Sequence, residues 1–76
     1  MSWNHRVMVR LHDGEPYFEI HEVHYDKGTD TISGWSDNED TPGPSESVED
    51  LRWTLGRMLK ALDKPVLDYE TGKERP

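Results

Sequence analysis

The residues most able to do chemistry are the four histidines, and His21-Glu22-Val23-His24 is their densest grouping. The zinc-hydrolase pattern needs two histidines four apart on one helical face, with a glutamate as base. Here the spacing is three, inside Tyr17–Tyr25, a stretch rich in aromatic and β-branched residues that reads as a strand. An odd spacing in a strand sends the two rings to opposite faces. A shared metal then needs a bulge to re-aim one of them, and His12 meets His21 only if a hairpin brings them across from each other. The expectation is histidines held in a sheet; a small metal-dependent enzyme using the His21/His24 region is the alternative.

Carboxylates are plentiful, with Asp37, Glu39 and Asp40 close together. They fall in Asp37–Glu46, a polar loop without the apolar pocket that raises a carboxyl pKa for general-acid work. There is no glycine-rich phosphate cradle and no dinucleotide fingerprint. The Asp26–Asp30 segment is shorter than an EF-hand loop and lacks its closing glutamate. These features predict a chain that is not an enzyme, with no cofactor and no resident metal.

Trp53 is a different kind of signal, and its meaning depends on the element that carries it. Ser47–Leu62 has apolar residues at helical spacing: Val48, Leu51, Leu55, Met58, Leu59 and Leu62 fall in a sector of about 100°. Ser47 is placed to cap the helix and Asp50 to complete a capping box. Acids crowd the first turn and bases the last, matching the helix dipole, and Asp63-Lys64-Pro65 ends the element. Gly56 costs about 1 kcal/mol against alanine in mid-helix, a cost that close approach of a neighbour would explain. Trp53 lies about 140° from Val48, away from the stripe, with Glu49 and Arg57 four residues to either side. Such a tryptophan meets either the folded-back Val66-Leu67-Tyr69 tail or a partner, since Trp and Arg are enriched in binding hot spots.

The stripe needs an apolar surface to cover. His5–His12 alternates with period two and reads as a strand, Asp13-Gly14-Glu15-Pro16 as a turn, and Tyr17–Tyr25 as a second strand. The apolar phase slips between Phe18/Ile20 and Val23/Tyr25, so either a bulge near His21-Glu22 restores it or both faces are partly covered. After a turn at Asp26–Asp30, Thr31–Ser36 is a short third strand with Gly34 marking a bulge or close approach. The loop Asp37–Glu46 has no apolar anchor and is expected to be mobile. Val66–Tyr69 is extended and available as an edge strand. The predicted fold class is α+β: a three-stranded antiparallel meander with one C-terminal helix packed on one face, a short extra edge strand coming from the tail. Residues 1–69 form the single domain, and 70–76 a disordered tail.

Seventy-six residues with 32% hydrophobic content bound the core to a small one. Without cysteine there is no disulfide or thiolate site, which fits a reducing compartment. The first six residues do not form a signal-peptide run, and no stretch approaches the ~20 apolar residues of a membrane span. The net charge of −7 is uneven: residues 1–12 carry +2, residues 13–50 carry −11 and residues 51–76 carry +2. An acidic middle disfavours nucleic acid, which draws on Lys and Arg at its phosphates. It favours solubility or a basic partner. Trp3 with Arg6 and Arg10 is the one arrangement suited to a nucleic-acid contact.

Spaced blocks of the chain resemble a widespread family of small uncharacterised bacterial proteins. The blocks are Trp3-Asn4-His5-Arg6, His21-Glu22-Val23-His24-Tyr25-Asp26, Gly34-Trp35, Met58-Leu59 in the helix, and Lys64-Pro65-Val66-Leu67-Asp68. That resemblance implies a bacterial, cytoplasmic protein and transfers no site residues. The order of strands, with Ser47-Val48-Glu49-Asp50-Leu51 opening a helix, is similar to HicB-type antitoxin domains, which bind a toxin. Their Pro-Asp-Leu-Pro-Gly segment is replaced here by the acidic Asp37–Glu46. The combined expectation is a non-enzymatic protein–protein interaction module, monomer or weak dimer. Its candidate contacts are Trp53, Arg57 and Glu49 on the helix and Asp37, Glu39 and Asp40 in the loop.

Overall fold

A computed structural model describes residues 2–75. Asp13 and Gly14 both take positive φ, 54° and 81°. That is the geometry of a two-residue hairpin turn whose twist matches its strands, and Asp-Gly is among the sequences best suited to it. It joins β1 (Ser2–His12) to β2 (Glu15–Tyr25), each of 11 residues. Their antiparallel register runs unbroken from His12 opposite Glu15 to Ser2 opposite Tyr25. The slip in apolar phase along β2 therefore comes from two covered faces, not from a bulge at His21-Glu22. An irregularity does occur one strand over, between His24 and Tyr25, where β3 (Ile32–Trp35) pairs with β2.

The sheet has a fourth strand, β4 (Leu67–Asp68), in the order β3-β2-β1-β4. β4 runs parallel to β1, placing Leu67 beside Met8. The three antiparallel strands and the short edge strand from the tail are both present, but the parallel run of β4 makes the sheet mixed where an antiparallel meander was expected. A helix stands between β3 and β4 in the chain, and such a connection lets the tail return in the direction of β1.

Central position explains the burial of β1. His5 to Val9 are all buried, so both of its faces are covered. One face carries Met8, Val23 and Leu67, packed with Tyr25, Ile32, Trp35 and Tyr69. The chain after β4 helps close this face. Tyr69 N donates to Val9 O at 3.0 Å, Gly72 N to Asp68 O at 2.7 Å, and Arg75 N to Val66 O at 2.7 Å. Residues 70–75 thus turn back on β4, with Leu67 bridged to Glu74, and residue 76 of the expected tail lies outside the described residues. The other face of β1 carries Trp3, Val7 and Val9, and the helix α1 (Val48–Ala61) lies against β1 there.

The N-cap expected of Ser47 is present in α1, without a return bond from the Asp50 carboxylate to Ser47 N among the described residues. Ser47 takes extended backbone and its hydroxyl accepts from Asp50 N at 3.1 Å. Gly56 faces open space, with nothing within 4 Å of an added Cβ, so no close approach explains it. The Asp37–Glu46 loop is anchored at its start despite its polarity. Ser36 N donates to Glu22 O and Asp40 N to Ile20 O, continuing along the edge of β2.

Candidate functional site

The rotation of α1 about its own axis creates the main surface feature. A helix with six apolar residues in one sector is expected to bury that sector. Instead the helix buries Met58 and Ala61, with Leu51, Thr54 and Arg57 half-buried beside them. Their mean direction is roughly 80° away from the middle of the apolar stripe. Two features favour this seating. Ala61 is small enough to be wholly enclosed. Arg57 lies over the Trp3 ring at 4.5 Å and donates to Trp3 O at 3.2 Å. The cost is that Val48, Leu55, Leu59 and Leu62 are left 49 to 70% exposed.

This exposed stripe meets a second one. Phe18 and Ile20 point to the same side of β2, and Phe18 is 68% exposed. Between them and the helix lies an open groove of about 840 Å³, with Leu55, Met58, Leu59 and Leu62 forming the helical wall. Its margin holds Asp13, Glu15, Glu19, Glu39 and Asp40, and no lysine or arginine lines it. Asp40 is fixed there by His5 at 2.9 Å, and Glu19 is held by its own partners. Among the described residues, Asp13, Glu15 and Glu39 make no ion pair.

The residues singled out from sequence are distributed differently. Trp53 is 59% exposed, and the tail does not cover it, because the tail lies on the other face of the sheet. Arg57 lies 4.9 Å from the Trp53 ring centre as well as over Trp3. Trp53 and Arg57 thus form one cation–aromatic ladder with Trp3, on the far side of the helix from the groove. Glu49 is exposed and paired to Arg52 at 2.7 Å. Asp37 acts through its backbone: its carbonyl accepts from the Tyr69 hydroxyl at 3.1 Å and from the Arg10 guanidinium. Only Glu39 and Asp40 reach the groove. The sequence reading missed Phe18 and the outward-turned leucines. Strict pairing across a two-residue hairpin puts Phe18 and Ile20 with Val7 and Val9, and that parity was the available signal.

The histidines separate as odd spacing requires. His21 is wholly buried and His24 lies on the opposite face, 3.0 Å from Glu22. His21 has both nitrogens engaged, Nδ1 with Ser36 O at 3.0 Å and Nε2 with Glu19 at 2.8 Å. Glu19 also takes His12 at 2.7 Å and lies 3.4 Å from the Arg10 Nε. Burial pushes the Glu19 carboxyl up, but the hydrogen bonds from His21 and His12 and the Arg10 charge outweigh it, leaving its pKa below the ordinary value. A carboxylate so engaged is a structural hub rather than a free acid or base. No group of three or more His, Asp or Glu side chains among the described residues is arranged to hold a metal ion.

The arrangement suited to nucleic acid does not assemble. Trp3 stands on the helix side of β1, whereas Arg6 and Arg10 stand on the other. Arg6 is buried, bonded to the Tyr25 hydroxyl at 3.0 Å and to Pro65 O at 2.8 Å. Arg10 packs over the Tyr69 ring at 3.7 Å. Among the described residues no helix is long and apolar enough to cross a membrane. No family model matches the chain, and no curated protein or solved structure matches it either.

Proposed function

We propose that this protein is a non-enzymatic protein–protein interaction module that acts in a reducing cytoplasm and binds through the groove between α1 and β2. The observation that carries this reading is the apolar stripe Leu55, Leu59 and Leu62, left in solvent beside Phe18. Isolated exposed leucines are ordinary, but a contiguous apolar surface rimmed by charge marks an interaction site. The Trp3–Arg57–Trp53 ladder is a second, smaller contact in the same proposal. Its arginine is already occupied by two rings and a carbonyl, so it ranks below the groove.

An antitoxin of the HicB type is one form such a module takes, and the small bacterial family is another frame for it. Both are proposals that rest on sequence likeness alone.

The test compares wild type with Leu59→Asp and Trp53→Ala in co-purification from the native cell, followed by reconstitution with each purified candidate. The expected result is a partner retained by wild type and by Trp53→Ala but lost with Leu59→Asp, all three being equally folded by circular dichroism. Identical partners on all three proteins would remove the groove from consideration.

A further inference from the structure

We infer that the occupant of the groove is an amphipathic helix from a basic partner protein. This deepens the interaction-module reading and rests on it. Two properties of the groove select the occupant. The first is shape. From Leu55 to Leu62 the helical wall rises about 10 Å, room for about two turns of a partner helix laid alongside it, with apolar side chains three and four residues apart. The groove is open along this length, which suits a polypeptide better than a small molecule enclosed on all sides.

The second property is charge. Asp13 and Glu15 stand near the hairpin turn and Glu39 at the edge of β2, all bordering the apolar floor without an ion-pair partner among the described residues. Lysine or arginine on the flanks of the incoming helix would meet them as its leucines cover Leu55, Leu59 and Phe18. Complementary potentials of this kind steer encounter and reject wrong partners. The same charges argue against a second copy of this chain. A twofold dimer through the groove presents the same patch twice, setting one acidic margin against another on two molecules that each carry −7. Like charges so placed oppose association.

The probes are two synthetic helical peptides with one leucine pattern, one flanked by lysines and the other by glutamates, titrated calorimetrically into the full chain. The lysine peptide is expected to bind at least about tenfold tighter, with the advantage shrinking as salt rises. Combined Asp13→Asn, Glu15→Gln and Glu39→Gln should erase the preference while leaving some affinity. Leu59→Asp should weaken both peptides. Equal affinity for the two peptides overturns the basic partner and leaves the apolar groove standing. Absence of binding by either peptide overturns the groove reading as well. A dimer in sedimentation that Leu59→Asp dissociates would identify a second copy as the occupant and overturn the inference.

Discussion

Met58 and Leu59 are neighbours in the chain with opposite surroundings, and the seating of α1 can be tested on that contrast. Met58 is 6% exposed and Leu59 66%. Truncating a buried methionine to alanine costs about 2–5 kcal/mol. The lower half of that range applies here, because the groove beside Met58 lets its neighbours relax into the space. Leu59 keeps about a third of its surface covered, and full burial of a leucine contributes about 1.5–3 kcal/mol. Its truncation should therefore cost about 0.5–1 kcal/mol, less a few tenths for the higher helix propensity of alanine. A chain of this length has a total stability of about 4–11 kcal/mol, so the two variants are readily told apart. Urea unfolding followed by far-ultraviolet circular dichroism should show Met58→Ala shifted strongly and Leu59→Ala little, at unchanged slope. In thermal unfolding, the loss for Met58→Ala corresponds to at least about 8 °C. If Leu59→Ala proves as damaging as Met58→Ala, the apolar stripe faces the sheet, the groove closes, and the proposed binding surface goes with it.

Three further perturbations probe other parts of the structure. Gly72 has φ of 74°, and a Cβ added there would lie 2.5 Å from Trp35 Cζ3. Gly72→Ala should thus cost at least about 2 kcal/mol, and an unchanged melting temperature would mean that the tail does not sit on the sheet. Gly56→Ala should stabilise by about 0.5–1 kcal/mol, whereas a loss in thermal unfolding would reveal a neighbour at that face. The folded pKa of Glu19 lies below its ordinary value of 4.5. Its contribution is therefore present above that value and lost as pH falls through the folded pKa. Glu19→Gln should be less stable than wild type at pH 7, and the gap should narrow as pH drops below about 4.5. Urea midpoints measured across that range check this, and a gap independent of pH would refute it.

The features legible in the sequence are those fixed by neighbours along the chain. Asp13-Gly14 supports two consecutive positive φ values, so the hairpin turn and its pairing follow locally. Ser47 caps the helix through a contact three residues on, and Pro65 ends the helical segment through its own ring. The alternation of Val7, Val9 and Leu11 gives a strand whatever packs on it. The odd spacing of His21 and His24 separates them in any strand.

What the tertiary structure decided is which surface each element spends on which neighbour. The helix had two faces to offer, and a greasy stripe was the obvious one to bury. Arg57 found Trp3 and Ala61 permitted close approach, so the helix settled on the flank of that stripe and left the leucines in water. The tail likewise had two sides of the sheet available. It took the side opposite the helix, where Leu67 enters the Met8–Val23 cluster and Gly72 fits under Trp35. Spacing along the chain specifies which residues share a face. The choice between faces depends on contacts between residues far apart in sequence, such as Trp3 with Arg57 and Trp35 with Gly72, and those exist only once the chain has folded.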